Sequence, residues 1–182
     1  MTKYKTWKTI KIGTGFTTAE DFCLALRKAR CNIAPGCNTE VKAILNSPAF
    51  NVSLREVEVE LVNETIAGLG FKGLNSRGRP ITGASSRELY SRAKDLGLDL
   101  CPAEVGPQLC RQYSNHPNVG LPSVLVIGMN PITTTPGPDW QCIDSLFVLY
   151  ENKNRNPTLM ALKAAPGTRW AADERFVFIK RT

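Results

Sequence analysis

Four apolar runs separated by turn-rich segments occupy the last third of the chain, and they constrain the possible folds more than any other feature. The runs are SVLVIGMN (123–130), CIDSLFVLY (142–150), TLMAL (158–162) and RFVFIK (175–180). The segments between them, TTTPGPD, NKNRNP and APGTR, carry the Gly, Pro and Asn residues that are typical of turns. Consecutive strands that are joined by short turns, with no helix between them, pair in antiparallel order. The pattern therefore predicts a C-terminal antiparallel β-meander.

Helical patterns dominate the earlier part of the sequence. Residues 17–30 combine a threonine cap, acids in the first turn and basic residues in the last turn, which matches the helix dipole at both ends. Their apolar side chains share one face, so this helix is expected to pack on a core. Shorter helices are predicted over 39–46 and 86–96, and Ser85 and Glu88 have the spacing of a capping box before the second of these.

Residues 55–62, REVEVELV, alternate apolar and charged side chains. A period of two indicates a strand with one buried face and one solvent-exposed face. The carboxylates of Glu56, Glu58 and Glu60 could bind a cation, but nothing nearby in the sequence completes a ligand set, so a solvated sheet face is the better interpretation. Together these patterns predict an α+β fold, with a helix-rich N-terminal half followed by the C-terminal antiparallel β-meander.

The length of the chain favours one domain. Domains cluster at roughly 100–150 residues, so 182 residues are too few for two full cores. The segment 72–85, KGLNSRGRPITGAS, is rich in Gly, Ser and Arg and lacks periodicity, which is typical of a linker or a binding loop. We predict a single domain over 1–182, with possible sub-lobes 1–71 and 86–182 joined by this basic loop.

Apolar runs and cysteines bear on the compartment. The longest apolar run, VLVIGM at 124–129, is far shorter than the roughly 20 residues that span a bilayer, and the N-terminus lacks the apolar stretch of a signal peptide. We therefore expect a cytoplasmic protein without membrane contact, whose six cysteines are reduced. With no C-x-x-C pair and His116 as the single histidine, neither a metal site nor a cofactor is expected.

Positive charge indicates the class of partner. The net charge is +7, and residues 72–113 hold seven basic side chains against four acidic ones. Such a balance favours an anionic partner, with nucleic acid the first choice among polyanions. The candidate binding residues lie on the basic loop and on the helix that follows it, where positions seven apart share a face. They are Arg77, Arg79, Arg87 and Lys94.

The stretch LCPAEVGPQLCRQY, 100–113, allows a structural interpretation. Pro102 and Pro107 each suit the first position of a helical segment, and a carboxylate at Glu104 suits the positive end of one. The stretch would then be a corner between two short helices. A helix-turn-helix is an alternative, with 86–96 as its first helix and 102–113 as the recognition helix, although Pro107 would break the recognition helix near its middle.

The same stretch also allows an enzymatic interpretation. Glu104, between apolar neighbours, could act as the general acid or base of a hydrolase-type enzyme. His116 is a candidate partner, as are Asp139 and Asp144, but no spacing connects them and no known catalytic motif is present. Three classes of function follow: a small binding module for an anionic partner, which we favour, such an enzyme, and a protein-interaction or structural component.

The run RAKDLGLDLCPAEVGPQLCRQY, with WKTIKIG near the start, VIGMNPI and the closing RFVFIKR, resembles a family of uncharacterised bacterial proteins with an RAKxLGLxLCPAEVGPQL motif. The resemblance covers most of the chain but implies no established activity, cofactor or partner. In that family's pattern an acid often stands at the position of Asn130 and a basic residue at that of Cys110. A catalytic acid at position 130 would therefore be missing from this chain.

Expected cytoplasmic residence leads to a first prediction, on the redox state. After unfolding without reductant, all six thiols should react with a thiol reagent, because glutathione and thioredoxin keep cytosolic thiols reduced. The measurement is the number of modified cysteines by mass spectrometry. A number below six would indicate a disulfide or a bound metal and would contradict the expected compartment.

Overall fold

A computed structural model describes the chain over 4–34, 38–73, 82–113, 124–134, 142–152, 154, 156–165 and 167–181. The helices of these residues are α1 (Ala19–Lys28), α2 (Asn38–Leu45), α3 (Ser86–Asp95) and α4 (Val105–Tyr113). Strands in the first part of the chain are β1 (Lys8–Ile12), β2 (Asn32–Ile33), β3 (Val57–Thr65), β4 (Gly83–Ser85) and β5 (Leu98–Asp99). The later strands are β6 (Val124–Ile127), β7 (Ile132–Thr134), β8 (Ile143–Glu151), β9 (Pro157–Lys163), β10 (Arg169–Ala171) and β11 (Arg175–Lys180).

Nine of these strands form one curled, mixed sheet in the order β1-β3-β11-β6-β8-β9-β2, with β5 beside β11 and β7 beside β8. The remaining two strands, β4 and β10, form a separate antiparallel pair. Most neighbours in the large sheet are antiparallel, but β11 lies parallel to β6 and β2 lies parallel to β9. Residues from before and after the basic loop therefore share one sheet.

The α+β class is confirmed, but the division into a helical half and a β half is wrong. Strands span the whole chain: β1 and β3 come from the first 71 residues and pair with each other and with β11. The four apolar runs do form β6, β8, β9 and β11, yet they are no simple meander, because β11 inserts between β3 and β6. The apolar pattern shows that a segment is a strand, whereas long-range burial selects its neighbours.

Local signals place the helices correctly. Thr18 caps α1 and Ser85 caps α3, each in a reciprocal capping box, with Asp21 and Glu88 respectively. Hydrogen bonds from these cap residues hold the pKa of both carboxyls below their usual range. The charged side of the REVEVELV segment agrees with the prediction as well, since Glu56, just before β3, pairs with Lys11, and Glu60, on β3, pairs with Lys180.

The predicted loop 72–85 is shorter than expected at its C-terminal end. Residues 74–81 lie outside the described part of the chain, but Gly83–Ser85 is strand β4, paired with β10. Glycine is required at the first of these positions. Gly83 has a φ of +153°, and a Cβ there would lie 1.8 Å from the carbonyl oxygen of Trp170.

Helix α4 is largely buried and contacts α1, β1, β8 and β9. Its first six residues are all buried. At Gly106 the helix comes close to β8: a Cβ at this position would lie 2.6 Å from Cδ2 of Phe147 and 2.8 Å from its Cβ. The glycine of the GPQL sequence therefore permits close packing of helix on sheet.

A second prediction follows from this contact. Gly106→Ala should lower the free energy of unfolding by about 1–2 kcal/mol, because overpacking against Phe147 costs roughly 1–3 kcal/mol and alanine recovers at most about 1 kcal/mol of helix propensity. Gly167→Ala is the control, since no atom lies within 4 Å of the added Cβ. Urea denaturation measures both variants. Equal stability of the two would contradict the packing argument.

Candidate functional site

Two sets of predicted site residues can be placed. Glu104 lies in the turn before α4 and is fully buried, whereas Arg87 and Lys94 are exposed on α3. Arg77, Arg79 and His116 lie outside the described residues, as does Asp139. Asp144 is on β8, where its Oδ1 accepts a hydrogen bond from Thr133 Oγ1.

The carboxylate of Glu104 accepts hydrogen bonds from three donors. Its Oε1 accepts one from the backbone N–H of Gly13 at 2.7 Å, and its Oε2 accepts one from the N–H of Ser53 at 2.9 Å. The amide Nε2 of Gln108 donates to Oε1 at 2.9 Å. One buried side chain thus connects α4 to two loops that are distant in sequence.

The network continues along α4 from Gln108, which is itself buried. Gln108 Nε2 also donates to Thr14 Oγ1 at 2.8 Å, and Gln108 Oε1 accepts from Arg111 Nε at 3.1 Å. One turn later, Gln112 pairs with the main chain of Lys11: its Oε1 accepts from the N–H at 2.9 Å and its Nε2 donates to the carbonyl at 2.7 Å. Strand β1 is thereby attached to the helix.

This geometry favours a structural role for Glu104. A general acid or base must reach the proton that it transfers, but Glu104 has no exposed surface and its oxygens already accept three hydrogen bonds. A buried carboxylate with this set of donors is typical of a structural hydrogen-bond centre. The geometry therefore favours a structural role, in which the carboxylate of Glu104 connects α4 to the backbone at Gly13 and Ser53.

The corner itself differs from the prediction. Pro102 does begin a turn, since Val105 N–H donates to its carbonyl at 3.0 Å, but this turn leads directly into α4. Pro107 lies inside the first turn of α4 and starts no second helix. The carbonyl four residues before it, that of Ala103, precedes the helix, so the proline ring causes no break there.

The helix-turn-helix alternative is wrong. A recognition helix exposes one face to the major groove, whereas α4 is packed among α1 and three strands and seven of its nine residues are buried. Strand β5 also lies between α3 and α4 and pairs with β11.

The structure does bring further cations to the two ends of α3. Arg169 lies opposite Ser85, the N-terminal cap of the helix, in the β4–β10 ladder. Arg181 lies at the other end, where its backbone N–H donates to the carbonyl of Gly97. Neither arginine was predicted to belong to the site, because no local pattern indicates a strand pairing of this range.

Arg181 also forms a bidentate ion pair with Asp99, with one hydrogen bond of 3.1 Å from Nε to Oδ2 and a second from Nη2 to Oδ1. The hydrogen bonds from Arg181, together with the charges of Arg181 and Lys94, hold the pKa of Asp99 below its usual range. Lys94 and Arg181 are thus close enough to act on the same carboxylate.

Neither a metal centre nor a membrane helix is found in the described part of the chain. Among those residues no three His, Cys, Asp or Glu side chains form a group that could hold a metal ion. No helix there has the length and apolar character to cross a bilayer.

Comparisons with known proteins identify no relative. No protein-family model, no curated protein and no solved structure matches the chain. The resemblance of 92–113 to an uncharacterised bacterial family therefore stays a prediction.

A third prediction tests the role of Glu104. In Glu104→Gln the carboxamide N–H₂ faces one of the backbone donors of Gly13 and Ser53 and leaves it without an acceptor, which should cost about 2–3 kcal/mol of unfolding free energy. The matched control is Glu56→Gln, which removes an exposed ion pair with Lys11 and should barely change the urea midpoint. A Glu104→Gln protein as stable as the wild type would exclude the structural role.

Proposed function

We propose that the protein is a small binding module for a polyanion, with nucleic acid as the partner and the exposed side of α3 as the contact surface. The observation that carries the proposal is the availability of two cations on this helix. Arg87 and Lys94 are exposed, and neither side chain makes an ion pair or a hydrogen bond within the described part of the chain, although the charge of Lys94 acts on Asp99.

The dimensions of this surface suit a phosphate backbone. Arg87 and Lys94 are seven residues apart on one face, about 10 Å along the helix axis. Arg169 and Arg181 extend the surface beyond both ends of α3. The ten-residue helix is itself about 15 Å long, and one strand of B-DNA rises about 3.4 Å per phosphate, so roughly four or five phosphates would lie along it.

Acidic side chains reduce the net positive charge of this surface, but two of them already accept hydrogen bonds from the protein. Glu88 accepts from the hydroxyl and the N–H of Ser85, and Asp99 pairs with Arg181. Arg181 is therefore largely neutralised by Asp99, whereas Lys94 and Arg169 act on Asp99 and Glu88 only through their charge. Arg77 and Arg79, which precede β4 in the sequence and lie outside the described residues, are proposed to add to the same surface.

The enzyme alternative loses support from the burial of Glu104, but a specific observation favours the protein-interaction alternative. Leu54 is fully exposed, and Val57 nearby is also exposed. Leu54 lies between Ser53, whose N–H is bound by Glu104, and Arg55, whose carbonyl accepts from Ser53 Oγ. Exposed apolar side chains that lie near each other are compatible with a contact surface for another protein.

The fourth prediction tests nucleic-acid binding. Affinity for labelled DNA or RNA should fall with salt, with a log–log slope of about 0.7–0.9 per phosphate contact. The double variant Arg87→Gln/Lys94→Gln should weaken binding of all sequences alike and reduce the slope by nearly two units. The charge-matched control Arg27→Gln/Lys42→Gln, on α1 and α2, should keep the wild-type slope.

Titrations of labelled DNA and RNA at several salt concentrations decide between nucleic-acid binding and the protein-interaction alternative. Equal effects of the two double variants would show that net charge, and not the α3 surface, governs binding. No binding at low salt would exclude the nucleic-acid proposal and favour the protein-interaction alternative. Replacing Arg77 and Arg79 with Ala in the same assay measures the contribution of the loop.

A further inference from the structure

Two cysteines meet where α1 ends against α4. Cys31 follows the C-terminal end of α1, and its Sγ donates to the carbonyl oxygen of Cys110, in the middle of α4, at 2.7 Å. Cys110 is fully buried and Cys31 is 5% exposed. The thiol of Cys31 therefore lies in direct contact with Cys110. Burial is the main cause that raises the pKa of the Cys110 thiol, and its interaction with the Cys31 thiol is the next cause.

A groove between α1 and α2 leads to one of these sulfurs. It has a volume of about 650 Å³, and Cys31 lies in its wall while Cys110 does not. Arg27 and Lys42 also line the groove, against the single carboxylate of Glu20. An anionic small molecule in the groove would therefore reach Cys31 before Cys110, and it would also meet Cys23, which lines the groove as well.

We propose that Cys31 and Cys110, whose thiols are both free in the structure, form a redox-active dithiol that stays reduced in a reducing compartment and is oxidised to an intramolecular disulfide when an anionic low-molecular-weight disulfide of the glutathione class accumulates. The carboxylates of such a peptide disulfide complement Arg27 and Lys42. The dithiol uses no residue of the α3 surface, so the proposal is independent of nucleic-acid binding.

The chemistry proceeds by two thiol–disulfide exchanges. The Cys31 thiolate attacks one sulfur of the oxidant, which forms a mixed disulfide and releases one low-molecular-weight thiolate that takes up a proton. The Cys110 thiolate then attacks Sγ of Cys31 and releases the second thiolate. Two protein thiols are oxidised, one disulfide is reduced to two thiols, and no other electron donor or acceptor is needed.

The raised pKa of Cys110 bears on the rate of the second exchange. Because only the thiolate attacks, this step should be slow at neutral pH and faster at higher pH, and the mixed disulfide at Cys31 should be detectable early. The product would covalently join the end of α1 to α4 and close the chain between residues 31 and 110. Such a long closed loop restricts the unfolded state, so the oxidised protein should unfold at a higher urea concentration.

The experiment is a redox titration of the full chain. Reduced protein is equilibrated with glutathione and glutathione disulfide at graded ratios, free thiols are alkylated under denaturing conditions, and peptides are mapped without reduction. We expect two thiols to be lost together, a linked peptide pair that contains Cys31 and Cys110, and full recovery with dithiothreitol. Cys101 is the internal control, because it is equally buried but its Sγ donates to the carbonyl of Val177 at 3.4 Å. The thiol of Cys101 should stay free, and should therefore be alkylated, at every ratio of glutathione to glutathione disulfide.

Variants separate the two exchanges. Cys110→Ser should stop at a glutathione adduct on Cys31, whereas Cys101→Ser should still form the disulfide. The proposal would be overturned if both Cys31 and Cys110 stayed free at every ratio, or if Cys31 paired with Cys23, which lines the same groove. Should Cys110→Ser fail to fold, the peptide map of the wild-type protein decides alone.

Discussion

The buried carboxylate of Glu104 is the interaction on which the arrangement of the other elements depends. A buried polar group without hydrogen-bond partners is costly in an apolar interior, and the carboxyl group of Glu104 is compensated by the N–H groups of Gly13 and Ser53 and by the amide of Gln108. These donors come from residues 91, 51 and 4 positions away. A loop before α1, a loop before β3 and the start of α4 must all be in place for the carboxylate to be satisfied.

The polar side chains of α4 that follow Glu104 all contact one segment of the chain. Gln108, Arg111 and Gln112 follow Glu104 at helical spacing and face the segment Lys11–Thr14. The carboxamide of Gln112 occupies the outward-facing N–H and carbonyl of Lys11 on β1, a strand at the edge of the sheet. Unpaired edges invite pairing with other chains, so the same helix that packs the core also shields one edge of it.

The features predictable from the sequence were local ones. Both capping boxes, the helices that they start and the apolar strands depend on residues a few positions apart, and the structure contains them. The pairing of β11 between β3 and β6, and the meeting of Arg169 and Arg181 with α3, depend on residues far apart in the chain. Helical periodicity also does not predict which residues of α4 are buried, because the polar Gln108 is as buried as the apolar residues beside it. Only its partners, Thr14 and Glu104, explain why a polar side chain belongs there.

Much of the 92–113 segment has a structural explanation. Gly97 adopts a φ of +76° at the end of α3, Gly106 permits contact with Phe147, and Glu104 and Gln108 satisfy each other and two loops. A segment with so many structural requirements can have a distinctive sequence without containing an active site. Function is better sought among side chains that the fold does not require, such as the exposed guanidinium of Arg87 and the ammonium of Lys94. These two side chains form no hydrogen bond within the described fold, so replacing them should leave stability intact and, under the proposed function, should weaken binding of the anionic partner.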